Sequence, residues 1–447
     1  MSSKRILKIQ RSLNNKKQYQ GEKIMTKLPI KSVVEGLLEL QKTGESATIL
    51  GIGPMSKNCV QATLELSKED DYPVMFIASR NQVDADELGG GYVNGWNQFT
   101  FAAAVEEVAK AIDYDNLYYL CRDHGGPWQR DQERNDHIPT DEAMVLGKKS
   151  YVADIEAGFD LLMIDPTKDP FEVGKVIPLD TVLERTVDLI EFCENERKAR
   201  NLPEIGYEVG TEETNGGLTS TETYETFILR LKDELEKRGL PMPTFIVGQT
   251  GTLIRKGQQV GTFNFKNAYD LAQMAKKYGV GLKEHNGDYL DDVTLLEHIP
   301  SQITATNIAP QYGTEETRAY MNLAEVEAKL VEYGLVTDQS NTRNIILLNA
   351  IKSGRWKKWM VGEQKNLTAD QIMADAELTE EILDVAGHYT FNDDEVKVEI
   401  EKMYKNLAEH NIDGQRYVID HIKRPIRDYA ECYNLKGATS RIKKVAE

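Results

Sequence analysis

The amino-acid sequence predicts a (β/α)₈ barrel followed by a helical C-terminal region. Three observations predict this fold: short apolar runs recur eight times, a polar or glycine-rich tip follows each run, and amphipathic helical segments separate the runs. Each run is short and largely apolar, as is typical of strands buried on both faces of a parallel sheet. The eight runs are Ala47–Leu50, Val74–Ala78, Leu117–Cys121, Leu161–Ile164, Ile205–Val209, Phe245–Val247, Val280–Lys283 and Ile303–Ala305.

The segments between these runs have the spacing of amphipathic helices. Asn97–Ile112 and Ile177–Arg200 each carry apolar residues at helical intervals, and so does Tyr224–Arg238. Thr219 and Glu222 have the spacing of a capping box, which predicts that the last of these helices begins there.

An open doubly wound sheet shares this alternation and is the alternative fold. Such a sheet carries G-x-G-x-x-G after its first strand, but here Gly51 and Gly53 are followed by Pro54, where the helix should begin. Eight units without that fingerprint favour the closed barrel.

Three regions follow from the pattern. Residues 1–26 are rich in lysine and arginine and predict a basic tail, or an upstream start with Met25 as the natural one. Residues 27–335 form the predicted barrel, and residues 336–447 the helical region. Four helices are expected in that last region: Thr342–Ser353, Thr368–Ala386, Asp393–His410 and Gly414–Cys432. The cluster from Trp356 to Trp359 is interpreted as aromatic anchors on the barrel, with a partner-facing surface as the alternative.

Composition excludes several classes of function. A net charge of -18 argues against a nucleic-acid partner, because phosphate backbones require a concentrated positive surface. No apolar run reaches the roughly 20 residues that cross a bilayer. An anionic small substrate still fits if a local pocket or a metal reverses the field. The four cysteines lack any C-x-x-C spacing, which indicates reduced thiols in a cytoplasmic protein.

The tips of the predicted strands form one candidate site, because barrel enzymes carry their active sites at the C-terminal ends of the strands. His124 follows the third run and His285 the seventh, and Glu208 lies in the fifth. Two imidazoles and a carboxylate suit zinc with an open coordination position, and manganese or nickel would also accept them. The alternative is that each histidine only satisfies a hydrogen bond within its loop.

Two carboxylates at different tips, Asp123 and Glu212, are the candidate proton-transfer groups. Asp123 has a second interpretation, in which it supports a metal ligand or pairs with Arg122. Further polar residues at the tips are candidates for substrate binding: Arg80, Asn81, Gln82, Asp165, Gln249, Asp288 and Asn307.

The ordered set of tip motifs resembles a known family. The motifs are Ser79-Arg80-Asn81-Gln82-Val83, Gly89-Gly90-Gly91-Tyr92, Asp123-His124-x-Gly126-Pro127, Gly210-Thr211-Glu212 with Gly216-Gly217, and His285-x-x-Asp288-Tyr289. They resemble the class II, metal-dependent aldolases of ketose bisphosphates. The closer likeness is to the non-catalytic subunit of tagatose-bisphosphate aldolase. It runs from about Pro29 past Trp356 and covers most of the chain.

This resemblance implies a (β/α)₈ fold and a role in the catabolism of galactitol, tagatose or amino sugars. It also implies a separate catalytic aldolase subunit as partner, and relatives of this subunit are implicated as metal-dependent C4-epimerases of ketose phosphates or uronates. In the catalytic aldolases, positions similar to Asp123, His124 and His285 transfer a proton or bind zinc. Their third zinc histidine is Gln249 here, and their glycine-rich phosphate loop is replaced by Asn286-Gly287-Asp288. Aldolase activity from this chain alone is therefore not expected.

Three functions remain after this comparison. The favoured one is a subunit of a class II D-tagatose-1,6-bisphosphate aldolase that binds the phosphorylated ketose and stabilises its partner, within an oligomer. The second is a self-sufficient metal-dependent C4-epimerase of a ketose 6-phosphate or uronate. The third is a structural partner with a vestigial pocket. The charged residues kept at the tips argue against the third, because buried charges without a function cost desolvation.

Overall fold

The eight predicted strands form a closed parallel barrel in the computed structural model, which describes residues 27–172, 177–210 and 218–446. The predicted basic tail, residues 1–26, lies outside this range. The barrel strands are β1 (Ile49–Ile52), β2 (Val74–Ser79), β3 (Tyr118–Gly125), β4 (Leu161–Ile164), β5 (Gly206–Val209), β6 (Phe245–Val247), β9 (Gly281–Glu284) and β10 (Ala305–Ile308). Around the barrel the strand order is β1, β10, β9, β6, β5, β4, β3, β2, and every neighbouring pair is parallel. The open doubly wound sheet is thereby excluded.

The third strand is longer than its apolar run. It was expected to end at Cys121 but continues to Gly125, and its pairing with β4 shifts register between Arg122 and Gly125. Pairing with β2 extends to Asp123, which lies opposite Ser79. Polar residues can extend a strand at the barrel rim, because the backbone ladder continues where the apolar core ends. Asp123 and His124 are therefore held by a strand and not by a loop.

Helices alternate with the strands and enclose the barrel. Their bounds are α1 (Ile30–Thr43), α2 (Lys57–Asp70), α3 (Gln98–Ala111), α4 (Asp131–Asn135), α5 (Thr140–Ala157), α6 (Leu179–Ala199), α7 (Thr221–Arg238), α8 (Phe265–Lys277), α9 (Asp292–Ser301) and α10 (Pro310–Glu332). The capping box expected at Thr219 is wrong. Ser220 caps α7 and accepts from the Thr223 N–H, while the Thr219 hydroxyl accepts from the backbone N–H of Gln249.

A small hairpin that the sequence did not predict follows β6. Its strands, β7 (Ile254–Arg255) and β8 (Gln258–Gln259), are antiparallel. The Gln259 amide donates to the backbone carbonyls of Asn286 and Asp288, at 3.0 and 3.1 Å. The hairpin is thus tied to the loop after β9, and Arg255 is brought over the barrel mouth.

The chain after residue 335 is helical, and its helices pack on the barrel. They are α11 (Thr342–Ser353), α12 (Ala369–Met373), α13 (Ala376–Ala386), α14 (Asp394–Ala408), α15 (Gly414–Cys432) and α16 (Ala438–Ala446). The single helix expected over 368–386 is two, because Asp375 caps a new helix by accepting from the N–H groups of Glu377 and Leu378. The domain boundary at 335 stays a prediction.

Two contacts join α15 to the barrel. Arg416 and Lys423 form ion pairs with Glu65 of α2, with Arg416 at 2.8 Å. The Tyr429 hydroxyl lies 2.8 Å from the Gly287 carbonyl and 2.7 Å from Oε1 of Gln311. Tyr429 therefore touches the loop after β9 and the start of α10 together.

Among the described helices, none is long and apolar enough to cross a membrane. All four cysteines are free thiols, three of them buried, and burial raises the pKa of Cys59 to about 12. Trp356 is buried and donates to the Ile351 carbonyl, and its role as an anchor on the barrel stays a prediction.

Candidate functional site

Three predicted site residues meet at the C-terminal mouth of the barrel. Ligand-type atoms of Asp123, His124 and His285 all lie within 4.8 Å of one another. The two imidazole rings are nearly perpendicular, at 87°, with centroids 5.0 Å apart. Imidazoles on β3 and after β9 meet because the barrel brings the ends of its strands to one opening.

His124 occupies an unusual backbone conformation. Its φ of 46° lies in the left-handed region, which side chains other than glycine rarely adopt. Such conformations typically cost about 1–3 kcal/mol and persist where the surrounding structure enforces them, often at functional sites. The strain coincides with the register shift in β3, and it aims the imidazole into the barrel mouth.

Asp165 fixes the orientation of His124. Its Oδ2 lies 2.7 Å from Nδ1 of His124, and its Oδ1 accepts from the backbone N–H and the hydroxyl of Thr167. Burial alone would lower the pKa of His124, but the charge of Asp123 and the hydrogen bond to Asp165 raise it. A proton held on Nδ1 leaves the Nε2 lone pair for a metal, which is the common carboxylate–histidine–metal arrangement.

Glu208 lies behind His285. Its Oε1 is 2.7 Å from Nε2 of His285, and its Oε2 accepts a hydrogen bond from the buried ammonium of Lys283. Burial alone would raise the pKa of Glu208, but Lys283 and His285 lower it. Within the described residues, the close group of ligand atoms contains Asp123 where the sequence led us to expect Glu208.

Asn307 connects the two sides of this cluster. Its Nδ2 donates to Asp123 Oδ1 at 2.9 Å and lies 3.2 Å from Nε2 of His285. Gly51 makes room for it, since a Cβ there would lie 2.1 Å from the Asn307 Oδ1. Gln249 is buried just after β6, the strand that lies between β5 and β9, and its Oε1 accepts from the Gly251 N–H.

Two of the residues predicted to bind substrate, Arg80 and Asp288, are held by other parts of the chain, and their role in binding stays a prediction. Arg80 is fully buried and forms ion pairs with Asp84 at 3.0 Å and Glu133 at 2.6 Å. The Asp288 Oδ1 accepts from the N–H groups of Ala309 and Gln311 at the start of α10, at 3.0 and 2.9 Å. Burial raises the pKa of Asp288 to about 7.

A cavity of about 400 Å³ opens beside the cluster. Asp123 and His124 form part of its wall, and so do the predicted residues Asn81 and Gln82. Ligand cavities typically range from about 300 to 1,000 Å³, so this one is the size of a small polar metabolite.

Four cations line the same cavity, and the sequence analysis identified none of them as site residues. We call this set the cationic wall: Arg134, Lys168, Arg255 and Lys358. Only Lys168 could have been found from the strand-tip rule, since it lies three residues beyond Asp165. His388 also lines the cavity; burial lowers its pKa to about 3, helped by Lys358 and Arg355, so its imidazole is neutral.

The predicted second proton-transfer group, Glu212, lies outside the described residues. Its role as a catalytic residue stays a prediction.

A comparison of the sequence with known protein families identifies the family of this chain. Residues 34–432 match the family model described as D-tagatose-1,6-bisphosphate aldolase subunit GatZ/KbaZ-like. The chain belongs to this family. The GatZ/KbaZ-like match takes in β3, β9 and the four residues of the cationic wall, so the cluster and the cavity both lie inside it.

One solved structure supports the fold of this GatZ/KbaZ-like chain, and two more are reported beside it. A probable tagatose 6 phosphate kinase from Sinorhizobium meliloti 1021 is similar, with 18% identity, a TM-score of 0.71, and coverage of 86% of this chain and 100% of that one. The YdjI aldolase from Escherichia coli K12 has 11% identity and a TM-score of 0.41, covering 85% and 97%. Fructose-bisphosphate aldolase from Campylobacter jejuni has 12% identity and a TM-score of 0.49, covering 92% and 95%. A search of curated proteins finds no match.

Proposed function

We propose that this chain binds a phosphorylated ketose beside a divalent metal, as a subunit of a D-tagatose-1,6-bisphosphate aldolase. The observation that carries the proposal is the group of Asp123, His124 and His285, two of which, Asp123 and His124, lie on the wall of a sugar-sized cavity. The family match supports the same role, and it supports a separate catalytic subunit as partner.

The donor set fits a metal ion. Imidazoles are ligands that catalytic zinc uses, and manganese or nickel accept them also. Each imidazole has one nitrogen held by a carboxylate, His124 by Asp165 and His285 by Glu208. We therefore assign ligand positions to His124 and His285, give Glu208 the role of orienting His285, and keep Asp123, beside them, for proton transfer.

When bound, the metal would supply a Lewis acid for the ketose carbonyl. The protein side chains would handle the protons. Asn307 holds Oδ1 of Asp123, and the cavity receives the rest of that carboxylate, so Asp123 is placed to take a proton from a sugar hydroxyl. Glu212 is our candidate for the second proton-transfer group.

Metal content tests the proposal directly. Full-length protein prepared without chelator should contain about one zinc, manganese or nickel ion per chain by elemental analysis. His124→Ala and His285→Ala should each lose it with the fold retained. His137→Ala is the matched control, because His137 is exposed and lies off the strand ends. Metal-free protein that takes up no metal on addition would exclude the assignment.

The stand-alone C4-epimerase is the second candidate. It is favoured by the fact that the ligand group, a proton-transferring carboxylate and a cavity all lie within one chain. Incubation of the chain alone with metal and a ketose 6-phosphate or a hexuronate separates the two functions. An epimerase yields the C4 epimer without a second protein. An aldolase subunit is nearly inert alone and raises the activity or lifetime of its catalytic partner on mixing.

A further inference from the structure

The charge on the cavity lining is opposite in sign to the net charge of the chain. The protein carries a net charge of -18, yet among the described residues the cavity is lined by the four cations of the cationic wall against two carboxylates, Asp123 and Asp131. Charge of one sign focused in a cleft raises the local concentration of oppositely charged ligands. The cavity is therefore built for an anion.

Two members of the wall form no ion pair in the described part of the chain. They are Arg255 and Lys358, and the Lys358 ammonium lies 5.0 Å from the ring centre of Tyr389. Arg134 shares its charge with Asp131 through an ion pair. Unpaired cations around a cavity leave hydrogen-bond donors available to a ligand.

The wall lies beside the metal cluster, since its four residues line the same cavity as Asp123 and His124. Burial alone would raise the pKa of Asp131, but Lys358 and Arg134 lower it, in keeping with their places around the same cavity. An anion bound by the wall would therefore lie next to the cluster.

The usual phosphate position of a (β/α)₈ barrel is filled by the protein itself. Barrel enzymes often bind phosphate at the loops after strands seven and eight, on the backbone N–H groups of a helix start. Here Asp288 accepts from those N–H groups at Ala309 and Gln311. A phosphate there would compete with a fixed carboxylate, so it must bind elsewhere on the rim.

His388 adds a second, independent indication of a ligand. The residue is 3% exposed, lines the cavity, and its Nδ1 has no hydrogen-bond partner within the described ranges. Buried polar atoms without partners are rare in folded proteins. A neutral imidazole there suits a sugar hydroxyl, which can donate to it or accept from it.

We propose that the cationic wall binds the phosphate group of a ketose phosphate, with the sugar carbonyl directed to the cluster of Asp123, His124 and His285. This inference rests on the proposed function for the sugar and deepens it by locating the phosphate. Phosphate is chosen over carboxylate because its larger charge and three acceptor oxygens match several separate cations. Lys358 belongs to the region after residue 335, so that region completes the ligand site.

Binding measurements on the full chain test the inference. The probes are D-tagatose 6-phosphate, unphosphorylated D-tagatose and inorganic phosphate, titrated calorimetrically into metal-free protein. Lys358→Met and Arg255→Met should each weaken binding of both phosphate probes by roughly tenfold to a hundredfold, the usual effect of losing a charge-assisted hydrogen bond. Binding of unphosphorylated tagatose should not change.

Lys357→Met is the matched control. Lys357 is an exposed neighbour of Lys358 that does not line the cavity, so the variant should bind all probes as the wild type does. Wild-type affinity for the phosphate probes in both Lys358→Met and Arg255→Met would overturn the inference. So would a hexuronate that binds more tightly than the sugar phosphate and depends equally on Lys358, because the anion would then be a carboxylate.

The proposed function and this inference can be contradicted by different results. Both wall variants should keep the metal content of the wild type, because neither residue belongs to the metal cluster. A chain that takes up no metal, but whose phosphate binding depends on Lys358 and Arg255, contradicts the proposed function and supports this inference. A chain that binds metal, but whose phosphate affinity is unchanged in Lys358→Met and Arg255→Met, supports the proposed function and contradicts this inference.

Discussion

The Nδ1 atom of His124 and the Oδ2 atom of Asp165 lie 2.7 Å apart, at the ends of two adjacent strands. Asp165 is itself held through its other oxygen by Thr167. Because a carboxylate fixed on both sides cannot rotate, it determines which nitrogen of His124 carries the proton. The identity of the metal-facing nitrogen is thus determined by a residue that does not belong to the ligand group.

Asp165→Asn should therefore weaken metal binding without removing a ligand. Loss of a carboxylate that supports a metal-binding histidine typically costs about 10–100-fold in affinity. Competition with a chelator of known affinity measures this. Asp160→Asn is the control, because Asp160 lies at the opposite end of β4 and bonds Lys27 and the Leu120 N–H. Equal affinities in Asp165→Asn and the wild type would contradict the role given to Asp165.

Lys283→Met should destabilise the fold strongly. It leaves the Glu208 carboxylate, which is fully buried, without its ammonium partner. Removing one partner of a buried ion pair typically costs about 3–5 kcal/mol. Denaturant unfolding measures the loss. The double variant Lys283→Met with Glu208→Gln should recover much of it, since no charge then remains unpaired. A single variant as stable as the wild type would show that Glu208 finds another partner.

Glu65 should make stability depend on acid pH. Burial alone would raise its pKa, but hydrogen bonds from Arg416 and Lys423 lower it to about 2 from the ordinary 4.5. The folded state therefore holds the charged form, and the stabilisation is complete above pH 4.5 and declines as pH falls towards 2. Near neutral pH, Glu65→Gln should cost about 1–3 kcal/mol.

The difference between the wild type and Glu65→Gln should shrink over that same acid range, as measured by denaturant unfolding at a series of pH values. Glu69→Gln is the control, because its carboxylate is exposed and lies 3.9 Å from Arg427. A difference that stays constant down to low pH would mean that Glu65 acts through packing and not through its charge.

Asp123→Asn and Glu212→Gln should separate chemistry from binding. If the chain epimerises a ketose phosphate, each substitution should reduce turnover by about 10²–10⁴-fold, as expected of general acid–base groups. Sugar-phosphate affinity in metal-free protein should change much less, since the phosphate is assigned to the cationic wall. Chiral chromatography of the product measures turnover. Full turnover in Glu212→Gln would remove Glu212 from the mechanism.

Most of the barrel could be predicted because its strands are largely apolar. All eight runs became strands, and the errors lie at their ends, where β3 gained Arg122 to Gly125 and β10 begins at Ala305 instead of ending there. At those ends, backbone hydrogen bonding to the neighbouring strand decides where a strand begins or ends. The polarity of the side chains does not indicate that bonding.

The positions of the two histidines were predictable because the C-terminal ends of barrel strands all lie at one opening. The positions of Lys358 and Arg255 were not predictable. Lys358 reaches the cavity through the packing of helices that follow the barrel, and Arg255 through a two-stranded hairpin held by Gln259. Neither placement follows from periodicity, because both depend on contacts between segments far apart in sequence. Asp288 likewise gave no sign of bonding the start of α10.

The contact of Tyr429 with Gly287 and Gln311 has a consequence for how the gene can change in evolution. This hydroxyl joins the penultimate helix of the chain to the loop that follows His285. A shortened descendant that ended at residue 335 would keep eight strands, yet it would lose the brace on that loop together with Lys358. The barrel and its helical extension should therefore be gained, lost and recombined as one genetic unit, with any crossover that separates them selected against.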